Sequence, residues 1–116
     1  MKKKTIKVPL YSGNLVIIQA DKKENLNDIK KKYDLKEDPS NRCKAVAFVE
    51  EKKTTEYTIA FNNITTPSFI AHESLHVLNY IYQDHGIIYD IINDEPAAYL
   101  LGWIVKQCHK FLKIQY

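Results

Sequence analysis

The hydrophobic positions along this chain change period halfway. Residues 5–11 and 14–20 are runs of strand-forming side chains, and Ser12-Gly13-Asn14 between them signals a hairpin turn. Residues 24–33 then place Leu26, Ile29 and Tyr33 at helical spacing among charges, which predicts a short surface helix. Asp38-Pro39-Ser40-Asn41 reads as a loop. Two further strands are expected at 43–49 and 57–61, joined by a polar turn over 50–55. From Thr65-Thr66-Pro67-Ser68 the period becomes helical, with a hydroxyl cap and proline in the first turn. This helix is expected to run to about His85, where Gly86 supplies a left-handed stop. A loop at 87–92 leads to Asn93-Asp94, a second cap, with Pro96 tolerated in the first turn. The last helix carries Ala97, Leu101, Ile104, Cys108 and Leu112 along one apolar stripe. The order ββαββαα predicts an α+β domain, an antiparallel sheet of about four strands covered by helices.

With 116 residues there is room for one core, and the 45% apolar content is ordinary for a globular domain. The net charge of +3 comes from two lysine clusters, Lys2-Lys3-Lys4 and Lys30-Lys31-Lys32, which read as solvated surface rather than a nucleic-acid site. Polar residues interrupt the apolar stretch that a leader peptide would need. Leu15-Val16-Ile17-Ile18 is too short to span a bilayer. Cys43 and Cys108, two thiols far apart, read as reduced core residues of a cytoplasmic protein.

The chemistry concentrates in His72-Glu73-Ser74-Leu75-His76. A spacing of four puts both imidazoles one turn apart on one helix face, where their nitrogens can reach one ion. Zinc suits neutral imidazole, and catalytic zinc sites combine three protein ligands with a water. Glu73 can lean toward that water as general base and later pass the proton to a leaving amine. The pattern alone arises by chance in about one such chain in a hundred. Its place in mid-helix, beside Phe69, Ile70, Val77 and Leu78, predicts partly buried histidines that need a polar partner. Glu95, in the first turn of a helix returning antiparallel, is placed to be the third ligand. Asp94, Asp90, His85 and His109 are the competitors, and Asp94 is expected to be engaged as a cap.

This motif, followed by a glutamate in a second helix, resembles the zincin metallopeptidases, specifically their glutamate-ligand subgroup, the gluzincins. The distance from His76 to Glu95 is similar to that in thermolysin-like enzymes. Glu95-Pro96-Ala97-Ala98-Tyr99 is also similar to the Glu-Ala-Asn-x-Phe-Ala segment of small phage immunity and anti-repressor type metallopeptidases. The likeness covers residues 66–105, about a third of the chain. It implies one zinc ion held by His72, His76 and Glu95, Glu73 as general base and acid, and a peptide or protein substrate. It further implies that the strand Tyr57, Thr58, Ile59, Ala60 and Phe61 is the edge on which an extended peptide is held. Tyr99 is a candidate to orient a ligand histidine, and Tyr89 or His85 to donate to the oxyanion.

Three readings follow: a minimal cytoplasmic zinc metallopeptidase, first in order; a zinc-binding module without hydrolytic activity; and a metal-free regulator of the kind carried by phages or mobile elements. None calls for a membrane or nucleic-acid partner.

Overall fold

A computed structural model of the chain describes residues 1–38, 40 and 44–114. Its elements are β1 (Lys2–Lys7), β2 (Asn14–Gln19), α1 (Leu26–Lys32), β3 (Ala45–Glu50), β4 (Glu56–Phe61), α2 (Pro67–Asp84) and α3 (Glu95–Leu112). The element order is the expected one, and the fold is α+β. The sheet is not purely antiparallel. Its strand order is β1-β2-β4-β3, with antiparallel ladders at both ends and a parallel ladder between β2 and β4.

The parallel junction follows from burial. In β4 Tyr57, Thr58, Ile59, Ala60 and Phe61 are all buried, whereas β3 is buried only at Ala45 and Phe48. A strand apolar on both faces belongs in the middle of a sheet covered on both sides. β4 therefore inserts between β2 and β3 and runs beside β2 in the same direction. The expectation that residues 57–61 form an edge is thereby overturned: β4 is paired on both sides, and the outer strands are β1 and β3.

Each face has its own cover. Leu15, Ile17, Tyr57, Ile59 and Phe61 meet Ile70, Val77, Ile81 and Ile104 from α2 and α3. Val16, Ile18, Phe48 and Ala60 meet Leu26 and Ile29 of α1 on the opposite face. α1 is short, and a reciprocal cap starts it: the Asp28 N–H donates to Asn25 Oδ1 at 3.0 Å and the Asn25 N–H to Asp28 Oδ2 at 2.9 Å. The turn between β1 and β2 is wider than expected, running from Val8 to Gly13 and closed by a Val8 N–H to Gly13 carbonyl bond of 3.1 Å. Cys43 lies outside the described residues; Cys108 is a free, fully buried thiol. No helix among the described residues is long and apolar enough to cross a membrane.

Candidate metal site on helix α2

α2 starts at Pro67, whose missing N–H costs nothing at a helix start, and ends where Gly86 adopts φ +65°. The expected hydroxyl cap is not formed. Thr66 Oγ1 lies instead 2.8 Å from Ser68 Oγ. Buried Ile70, Ser74, Val77, Leu78 and Ile81 turn one face of the helix to the core. Leu75, Leu78 and Asn79 border a groove shared with Ala97, Ala98 and Leu101 of α3, and Glu73 and Tyr80 reach toward β3.

His72 and His76 occupy the remaining, outward face. Both are exposed, His72 with 65% of its side chain open to solvent. The partial burial expected from their apolar neighbours is thus overturned: Ile70, Val77 and Leu78 point inward, and Phe69 is itself exposed beside the same cleft. Their Nε2 atoms face each other at 3.2 Å, with rings 4.9 Å apart at 71°. Two imidazoles bound tetrahedrally to one zinc at 2.0–2.1 Å would hold their nitrogens about 3.3 Å apart. The pair fits such an ion.

Glu73 lies behind the pair, with its Oε1 4.0 Å from His72 Nε2 and only 10% of its side chain exposed. Burial pushes its carboxyl above the usual range, while His76, His72 and the N–H of Ala47 on β3 pull it down. The parity of β3 explains that contact. The Lys44 carbonyl accepts from the Asn62 N–H at 3.1 Å, so even-numbered residues face β4 and odd-numbered ones, Ala47 among them, face outward toward α2. Tyr80 stacks on His76 at 6.5 Å and 22°, and its hydroxyl donates to the Ala47 carbonyl at 3.5 Å. From the sequence Tyr80 reads as a core or interface ring rather than a site residue, although its position four residues after His76 puts it on the same face. A cleft of about 330 Å³ opens beside the site, lined by Lys44, Ala45, Ser68, Phe69, His72 and Glu73.

The other residues singled out in the sequence are elsewhere. Among the described residues, the three side chains grouped for metal binding are His72, Glu73 and His76, their ligand atoms within 4.8 Å of one another; Glu95 stands outside that group. It is the exposed first residue of α3, and α3 packs on the Leu75–Leu78 side of α2 rather than the histidine side. His85 is engaged at the end of α2. Its Nδ1–H donates to the Ile81 carbonyl at 2.7 Å, which leaves Nε2 to accept from the Ser12 hydroxyl at 3.1 Å. Tyr99 borders a cleft with Pro9, Leu10 and Trp103, on another side of α3, and Tyr89 lines the α2–α3 groove. Asp94 makes no side-chain cap bond; Asp90 instead accepts from the Ile92 and Asn93 N–H groups at 3.0 and 3.3 Å. His109 is buried and its Nδ1 donates to the Ile114 carbonyl at 3.2 Å. Set against protein families, curated proteins and solved structures, the chain matches none.

Proposed function

We propose that this chain is a zinc-dependent hydrolase of peptide bonds, with His72 and His76 holding the ion and Glu73 as general base. The observation that carries this reading is the 3.2 Å approach of the two Nε2 atoms, with a buried carboxylate directly behind them. When bound, the ion supplies a Lewis acid beside the scissile carbonyl and makes water easier to deprotonate. Glu73 receives the water proton at its carboxylate and returns it to the leaving amine; burial, by raising its pKa, suits it to both halves of that task. Its bond from the Ala47 N–H and the stack of Tyr80 on His76 fix the two groups relative to β3. Because the outward N–H and carbonyl of Ala47 are taken by Glu73 and Tyr80, a peptide would reach the histidine pair through the cleft at Lys44 and Phe69 rather than by adding a strand to β3.

A second reading is favoured by the exposure of both histidines and the position of Glu95. In it, His72, Glu73 and His76 are themselves the three ligands of a metal-binding surface that performs no hydrolysis. The two readings differ in what Glu73 does, and Glu73→Gln separates them. Metal analysis of the purified protein should find about one zinc per chain, lost in His72→Ala and His76→Ala. On the peptidase reading Glu73→Gln keeps the zinc and loses cleavage of a quenched fluorescent peptide mixture by about 10²–10⁴-fold. Loss of the zinc itself in Glu73→Gln would leave only the second reading standing. Zinc lost in Glu95→Ala as well would identify Glu95 as the third ligand.

A further inference from the structure

Charge is segregated along this sequence. Residues 54–105 contain neither Lys nor Arg but carry Glu56, Glu73, Asp84, Asp90, Asp94 and Glu95, and all 17 basic residues lie outside them. Four of these carboxylates, Asp84, Asp90, Asp94 and Glu95, are exposed around the connection between α2 and α3. The same connection exposes apolar surface, with Ile88, Ile91 and Ile92 at 90%, 78% and 94%. They are held outward by a defined backbone. Gly86 turns the chain at φ +65°, the Ile87 N–H donates to the Tyr82 carbonyl at 2.9 Å, and Asp90 ties down the amides of Ile92 and Asn93. Beside the loop, α2 and α3 leave a groove of about 480 Å³. It is lined by Leu75, Leu78 and Asn79 of α2, Tyr89 of the connection, and Ala97, Ala98 and Leu101 of α3. Tyr89 ties the groove to this connection, and exposed apolar side chains accompanied by charges of one sign mark a surface that is covered in use.

We infer that this groove, with the isoleucines of the adjoining connection, docks an amphipathic helix from another protein, one whose apolar stripe is flanked by Lys and Arg. The small side chains of Ala97 and Ala98 in its lining leave space for one large apolar side chain, as helix-in-groove binding requires. The carboxylates select the partner's charge. Two copies of this face brought together would oppose acid to acid, and an anionic membrane would be repelled in the same way. Neither His72 nor His76 lines the groove, so the inference does not rest on the metal reading.

The test uses the full chain and two synthetic helical peptides of about 18 residues, one of Leu and Lys and its Leu and Glu twin, titrated calorimetrically. The Leu/Lys peptide should bind at least about tenfold more tightly than its twin. Ala98→Arg, exposed on α3, should weaken that binding by about tenfold or more while leaving the zinc content unchanged. The double variant Asp94→Asn/Glu95→Gln should weaken it about three- to tenfold and flatten its salt dependence. Equal binding of the twins, or an Ala98→Arg protein that binds normally, overturns the inference. So does capture by phosphatidylglycerol vesicles that Ile88→Ser/Ile91→Ser abolishes, which would make the surface a membrane contact. A dimer in sedimentation equilibrium that Ala98→Arg dissociates would replace the partner by a second copy and equally overturn it.

Discussion

At the scale of single residues, two positions show how tightly the interior constrains the chain. Gly13 holds φ +113°, and a Cβ there would come within 2.7 Å of the Tyr57 ring and 3.2 Å of the Thr55 carbonyl. Tyr57 cannot retreat, because it is buried and its hydroxyl donates to Asp84 at 2.8 Å. Gly13→Ala should therefore lower stability by about 2–3 kcal/mol, read as a shift in the urea midpoint with an unchanged slope. Cys108 makes a pH-dependent case. Burial pushes its thiol from 9.0 up to about 12, with the Ser74 hydroxyl pulling weakly the other way. The native state keeps this proton while the unfolded chain gives it up. Stability is therefore full below about pH 9 and declines as the pH rises toward 12. Urea midpoints at about pH 8 and pH 10.5 should differ in the parent protein, and the difference should shrink in Cys108→Ala. Native Cys108 should also resist thiol reagents, unlike the same thiol in urea.

At the scale of elements, what the sequence made readable was local. Helical spacing placed His72 and His76 on one face, and Gly86 and Pro67 marked the ends of α2 to within a residue or two. What it did not make readable depends on which way each element turns. Ile70, Val77 and Leu78 gave no sign of facing away from the histidines, and the helix opening at Glu95 gave no sign of which side of α2 it meets. The role of β4 was the exception. Its unbroken run Tyr57-Thr58-Ile59-Ala60-Phe61 is the pattern of a central strand, and only the resemblance to peptidases assigned it to an edge. A central strand predicts a steep cost for lost volume. Ile59→Ala, at a position with no exposure, should cost about 3–5 kcal/mol. Thr5→Ala on the exposed outer strand β1 should cost under about 1 kcal/mol. Comparable losses at the two sites would contradict the observed strand order.

At the scale of the whole molecule, the fold consists of two local hairpins welded by one long-range seam. β1 with β2 and β3 with β4 are each close in sequence, while the β2–β4 ladder joins residues such as Ile17 and Ile59, about 40 positions apart. Chain closure over that distance is entropically costly and is repaid only when both strands arrive. On a ribosome β1 and β2 emerge first, yet their open side has no neighbour until Phe61 has been made. α2, with its histidines, follows and packs on β3 and β4, while α3 meets β2 and can settle only once that seam closes. Assembly of this protein should accordingly be late and abrupt rather than progressive. In pulsed hydrogen exchange during refolding, amides of β2 should gain protection together with those of β4, and not ahead of them.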